Sequence, residues 1–359
     1  MDMVIAVAAE HANSSQPTGV EHYSKQLILA LSRIDQKNKY ILYVRTPPQL
    51  WFWELPDNFT VKHLPSPIAW TQLRLSFAML TDRPDALLVP SFSMPLLHPR
   101  NTIVAIHDLA WLLFPGTETA TQRWSLTFTH VFAKLFAHRL IAVSNATKKD
   151  LVRRLRVPES SVEVIHHGFT HDSEEVHTED DVQTFSRPLI VCLGTLQPRK
   201  NICRLIEAFA RMKEQTGMPH LLVIAGSKGW MCDEILDLAS QTKDVLYLGY
   251  VKDRLSLLRK ASLLVQPSLY EGFGLSILDA FAEHVPVACA NSSSLPEVAG
   301  DAAEFFDPYS VPSMVSAMTN VLKSRTHAED LARRGWDRLQ HFTWEACARR
   351  TLSLIANQP

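Results

Sequence analysis

The stretch QPSLYEGFGLSILDAF places Glu271 directly before Gly272-Phe273-Gly274, with Leu275 next and Asp279 eight positions after the glutamate. Glycines at a helix start let backbone N–H groups come close to an anion, and the helix dipole favours negative charge there. A carboxylate in that loop makes little sense for phosphate alone. It makes sense if a hydroxyl-rich group lies beside the phosphate, because carboxylates accept hydrogen bonds from sugar hydroxyls. Asp279 lies five residues past Gly274, roughly 7–8 Å farther along a helix, within reach of a second set of hydroxyls such as a ribose. The chemistry this spacing suits is the holding of a nucleotide sugar. The plainer alternative is a dipole-stabilised helix-start carboxylate followed by a solvated aspartate, and this stretch alone does not decide between them.

A second segment bears on the choice. VCLGTLQPRKNICRLIEAF reads as a strand, Gly194, a short turn with Thr195, Arg199 and Lys200, then a helix from about Asn201. A lysine so placed is a point cation aimed at phosphates with a helix N-terminus behind it; the alternative is a pair of solvated basic residues in a turn. In the first half, Gly19 opens a helix after HANSSQPT, and His107 ends the strand TIVAIH. A lone glycine is weak support for a ligand nearby, and a strand-end histidine is as often a packing or capping residue.

These residues need elements to position them. Short apolar runs alternate with helical patterns, the signature of parallel sheets wound with helices on both faces. Strands are predicted at 3–9, 40–45, 86–91, 102–107, 139–144 and 162–167, then at 189–194, 220–226, 245–250, 263–268, 285–290 and 302–306. The acidic stretch 171–188 has no hydrophobic period and reads as a linker. The expected organisation is an N-terminal acceptor-binding Rossmann-like domain over 1–170 and a donor-binding one over 189–340. A C-terminal helix over 341–359 is expected to pack back on the first domain. Open α/β sheets bind ligands beyond the C-terminal ends of their strands, where Lys200, Glu271 and His107 fall.

The chain has 359 residues, 46% hydrophobic and 20% charged, with a formal net charge of −1. That balance gives no overall pull toward nucleic acid, and any membrane contact must come from a local patch. Lys148, Lys149, Arg153, Arg154 and Arg156 form one basic stretch, readable either as an anionic-lipid contact or as solvated helix charge. The five cysteines are widely spaced without a Cys-x-x-Cys and read as reduced, mostly buried thiols. MDMVIAVAAEH lacks a basic leader and a long apolar run, so it reads as a first strand, and a cytoplasmic protein is expected, at the inner face of the membrane if it has a lipid contact.

Taken together, GTLQPRKN, EGFGLSILDAFAEHVPVACA, SLPEVAGDAAEFFDP, IAVSNATKKDLVRRLRVPESSVEVIHHG and IHDLAWLLFP resemble the family 4 glycosyltransferases over nearly the whole chain. The resemblance implies the GT-B fold, with two Rossmann-like domains facing across a cleft, and a retaining hexosyl transfer. By that resemblance Lys200 meets the donor diphosphate, Glu271 contacts the transferred sugar, and Gly272, Phe273, Gly274 and Leu275 form the sugar- and phosphate-binding loop. His107 corresponds to a histidine near the transferring carbon, and Gly19 to the glycine-rich first loop.

Three departures stand out. Asp279 replaces the glutamate that many members set on the ribose, Thr195 stands where many have arginine, and the first loop reads Thr18-Gly19 instead of paired glycines. Arg199 is the candidate to take over part of the missing cationic role. The implied donor is GDP-mannose or a UDP-hexose, the acceptor a glycan or a lipid-linked hydroxyl. No cofactor is implied and, with no Asp-x-Asp, no metal. A non-catalytic nucleotide-sugar binder and a nucleotide-sugar epimerase are the competing readings, while the absence of Gly-x-Gly-x-x-Gly after any strand argues against a dehydrogenase.

Overall fold

The computed structural model describes residues 2–14, 19–114, 116, 119–170 and 185–357. Thr18 and most of the stretch expected as a linker, 171–184, lie outside the described residues. The chain divides into two compact units, the first of Met1–Trp111, Glu118–Gly168 and Phe342–Pro359, the second of Leu112–Thr117 and Phe169–His341.

The first unit holds the strands β1 (Val4–Ala8), β2 (Lys39–Val44), β3 (Phe59–His63), β4 (Ala86–Val89), β5 (Asn101–Ile106), β6 (Arg139–Ala142) and β7 (Val162–Val164). They pair in parallel in the order β3-β2-β1-β4-β5-β6-β7. The helices here are α1 (Gly19–Ile34), α2 (Ser76–Asp82), α3 (Ala110–Leu113), α4 (Ala120–Phe136) and α5 (Asn145–Leu155), with α3 running across the boundary between the units. Every residue of β4 and β5 is buried, as strands covered on both faces require. Ser144 caps α5 by accepting from Thr147 N, a contact worth about 1 kcal/mol to a helix.

The second unit repeats the plan. Its strands are β8 (Leu189–Leu193), β9 (Leu221–Ala225), β10 (Val245–Gly249), β11 (Ala261–Gln266), β12 (Val287–Ala290) and β13 (Ala303–Phe306), parallel in the order β10-β9-β8-β11-β12-β13. Its helices are α6 (Ile202–Thr216), α7 (Asp233–Gln241), α8 (Arg254–Arg259), α9 (Leu275–Ala282), α10 (Leu295–Ala299), α11 (Val311–Lys323) and α12 (Arg325–Leu339). The last helix, α13 (Trp344–Ala356), packs on α1 and β5 of the first unit, where Asn101 Nδ2 donates to Ile355 O at 2.8 Å.

Strand order decides where a ligand can sit. From β8 the chain first winds outward through β9 and β10, then returns to place β11 on the other side of β8. The loops leaving β8 and β11 therefore diverge and open a crevice at their C-terminal ends.

Candidate active site

The two loops at the switch point are those carrying Lys200 and Glu271. Gly194 leaves β8 at φ 140°, and a Cβ there would lie 3.4 Å from Lys200 Nζ. Only glycine makes this turn without strain, and the lysine end packs directly against it. Pro198–Lys200 forms one 3-10 turn, and Asn201 follows in the left-handed conformation. Asn201 Nδ2 donates to Pro267 O at 3.0 Å and Pro308 O at 2.8 Å, tying the lysine loop to the exit of β11. Leu269 N donates to Arg199 O at 2.8 Å and closes the same seam.

Glu271 sits at the centre, 7% exposed. Its Oε1 accepts from Lys200 Nζ at 2.5 Å, Ser268 Oγ at 2.7 Å and Gln266 Nε2 at 2.8 Å, and its Oε2 from Arg199 NH1 at 3.2 Å. Burial pushes the carboxyl pKa up, but the Lys200 and Arg199 charges and the hydrogen bonds outweigh it and hold the group at about 2. Glu271 is therefore ionised at neutral pH, inside a shell of donors.

Arg199 also donates to Tyr270 O at 3.0 Å and Gln197 Oε1 at 3.1 Å, so much of its guanidinium braces the two loops. Lys200 carries three N–H donors, and the glutamate engages one of them.

A run of serines after β12 supports the glutamate loop. Glu271 N donates to Ser293 Oγ at 2.8 Å, Ser292 Oγ donates to Ser268 O at 2.8 Å, and Ser294 Oγ lies 2.9 Å from Glu271 O and 2.7 Å from Phe273 O. Gly274 is the N-cap of α9 at φ 111°, with no side chain to occupy the first-turn N–H groups. Phe273 is buried beneath that start, and Leu275 is the first helical residue.

Asp279 is buried within α9. Both of its oxygens accept from Arg254, at 2.8 Å from Nε and 3.2 Å from NH2, in a two-pronged ion pair. Arg254, the serine run, Gln266 and Ser268 are residues that sequence reasoning missed. Of these, only Ser268 carried a local signal, three positions before the glutamate.

His107 and Gly19 belong to the first unit. Gly19 is the first residue of α1. The His107 Nε2 lies 2.8 Å from Pro90 O, which requires the proton on Nε2, and its ring meets Tyr23 edge-on with centroids 4.8 Å apart. Burial lowers the His107 pKa and outweighs the opposing Pro90 bond and Asp108 charge, so the imidazole is neutral at pH 7. Thr195 follows Gly194 directly in the loop that leaves β8.

Two α/β units, each a parallel sheet wound with helices, define a Rossmann-like architecture. Comparison with known proteins makes this specific. Residues 17–173 match the family model "Glycosyltransferase Family 4", and residues 177–338 match "Glycosyl transferases group 1". The O-antigen chain mannosyltransferase B of Escherichia coli is 38% identical over 166 residues, covering 45% of this chain and 44% of that protein, so the match spans under half of the relative's length. Among solved structures, sucrose-phosphate synthase from Thermosynechococcus elongatus superposes with TM-score 0.77 at 17% identity, covering 99% of this chain and 98% of that one. The Anabaena protein HepE in complex with UDP-glucose superposes with TM-score 0.74 at 16% identity, covering 99% of each. The chain belongs to the family 4 glycosyltransferases, and its fold is GT-B.

Proposed function

We propose that the chain transfers a hexose from a nucleotide diphosphate sugar to a hydroxyl of a glycan or lipid-linked acceptor, with retention of anomeric configuration. The observation that carries this reading is Glu271, ionised and buried against Lys200 at the switch point, directly before the glycine-started helix. Lys200 supplies charge to the diphosphate through its remaining donors, and the α9 start supplies backbone N–H groups. Glu271 accepts from hydroxyls of the transferred sugar and steadies positive charge developing at its anomeric carbon. Asp279 meets the ribose through lone pairs that Arg254 leaves over. Thr195 and Arg199 take the diphosphate side, and Gly19 and His107 keep the roles that the family resemblance implies for them.

In the transfer, the bond from the anomeric carbon to the leaving phosphate oxygen breaks. The acceptor oxygen bonds to that carbon on the same face, and its proton passes to the departing phosphate oxygen. No protein base and no metal ion take part, because Lys200 and the helix start neutralise the leaving group. The name of the E. coli relative supports mannose as the sugar and GDP-mannose as the donor, while the UDP-glucose complex of the Anabaena neighbour supports a UDP-hexose.

The test is incubation of the purified chain with GDP-mannose or UDP-glucose in EDTA, followed by proton NMR of the sugar first released or transferred. The α-anomer is expected. First appearance of the β-anomer refutes retention, activity that only magnesium restores refutes the metal-free step, and no turnover or binding of either donor refutes the reading.

A further inference from the structure

The ribose end of the proposed donor site is not a bare carboxylate. The Asp279 side chain is 6% exposed, while that of Arg254, whose guanidinium grips both of its oxygens, is 41% exposed. A molecule arriving from solvent meets the arginine before the aspartate. Arg254 is itself held in place. It opens α8, which Asp253 caps by accepting from Ser256 N at 2.9 Å and from Ser256 Oγ at 2.5 Å.

α8 carries a second such pair, and the two differ in place. Arg259 Nε and NH2 donate to Glu283 at 2.7 and 3.2 Å, so α8 is clamped to α9 at both of its ends. In a parallel sheet wound with helices, the helices start at the C-terminal edge of the strands and end at the opposite edge. Arg259 closes α8 just before β11 begins, and Glu283 caps the end of α9, so that pair lies on the edge away from ligands. Arg254 begins α8 after β10 ends, on the edge where ligands bind. Fastening two helices accounts for the Arg259 pair. The Arg254 pair stands where a ligand can reach it.

A guanidinium carries five N–H donors in a rigid fork, and Asp279 engages two of them. A ribose offers two neighbouring hydroxyls, each able to donate and to accept. The ion pair answers both needs, with carboxylate lone pairs for the hydroxyl hydrogens and N–H groups for the hydroxyl oxygens. It is also neutral overall, whereas a lone carboxylate repels a diphosphate bound nearby. We infer that Arg254 is a nucleotide-binding residue of this site. It donates to the ribose hydroxyl oxygens while holding Asp279 to accept from the same diol. This rests on the nucleotide-sugar reading of the site and adds to it the group that the ribose meets first.

The test is calorimetry of GDP and UDP, each beside its 2′,3′-dideoxy counterpart, on the full chain. Wild type is expected to bind one of the two ribonucleotides at least about tenfold more tightly than its dideoxy form. Arg254→Ala is expected to reduce that preference to about twofold or less, because the donor goes and Asp279 loses its hold. Arg254→Lys, which keeps a charge beside the buried carboxylate but loses the fork, is expected to lose most of it. Arg259→Ala removes the matching clamp and is expected to leave the preference intact. Melting temperatures verify that each variant is folded. A helix-fastening role moves stability and leaves the ratio of the two affinities alone. The proposal is overturned if wild type does not discriminate, if folded Arg254 variants keep the wild-type ratio, or if Arg259→Ala erases it as well. A chain that binds neither diphosphate overturns the proposal and the transfer reading together. Ribose-selective binding through Arg254 without any sugar turnover supports the proposal and overturns the transfer reading alone.

Discussion

Replacing Lys200 with methionine keeps much of the side chain's bulk and removes the charge nearest Glu271. The carboxyl of Glu271 titrates at about 2 in the folded chain against an ordinary value of 4.5. The difference corresponds to about 3 kcal/mol favouring the ionised form in the native state. Breaking a buried ion pair by removing one partner costs about 3–5 kcal/mol, the order expected for Lys200→Met. Arg199 remains at 3.2 Å and keeps the loss toward the lower end.

The pH dependence gives the sharper test. A depressed carboxylate contributes its stability fully above its unfolded pKa and loses it as pH falls through the folded value. For Glu271 that window runs from 4.5 down to about 2. In Lys200→Met the folded pKa climbs toward the ordinary value, since burial then faces less opposing charge. The stability gap between wild type and variant should therefore be widest at neutral pH and narrow to about 1 kcal/mol near pH 3. Urea unfolding followed by circular dichroism at several pH values measures it. Adding Glu271→Gln to Lys200→Met should recover stability, because the orphaned charge is gone. A gap that stays constant from pH 7 to pH 3, or a double variant no more stable than Lys200→Met, would refute the electrostatic account.

Glu271→Gln keeps the shape but loses the charge, and is expected to lower kcat about 100-fold while changing nucleoside diphosphate affinity little, as steady-state kinetics beside calorimetry will show. Asp279→Ala is expected to do the reverse, weakening even the sugar-free nucleoside diphosphate by roughly 1–3 kcal/mol as the ribose loses its acceptor. Gly194→Ala forces a side chain into φ 140°, in contact with Lys200 Nζ. It should cost about 1–3 kcal/mol of stability and weaken diphosphate binding in the same calorimetric assay.

The central strands were legible because strands buried on both faces read as unbroken apolar runs; LIVCL of β8 is buried throughout. β3 was not. Its FTVKH leaves Thr60 and His63 exposed, as suits an edge strand, so its two apolar residues gave no run to find. Strand order was hidden for a different reason. Whether β11 lies beside β10 or on the far side of β8 depends on the direction of a crossover, and this leaves no mark on the strand's own residues. The bidentate hold of Arg254 on Asp279 is equally silent, since the two stand 25 positions apart on different helices.

The site shows what reading residues one at a time leaves out. Lys200 was assigned to phosphate and Glu271 to sugar as separate groups, although 71 positions of sequence separate two atoms that lie 2.5 Å apart. Their contact changes the energetics of the proposed donor binding. A diphosphate arriving at Lys200 competes with a carboxylate already in place, which lowers the net gain from that one contact. Gln266 and Ser268 keep their bonds to Glu271 Oε1 whatever the lysine does, so the carboxylate need not move when the lysine turns part of its charge toward phosphate. A glutamate held by neutral donors beside a shared cation is thus oriented before the sugar arrives. That removes a reorganisation cost that would otherwise fall at the moment charge develops on the anomeric carbon.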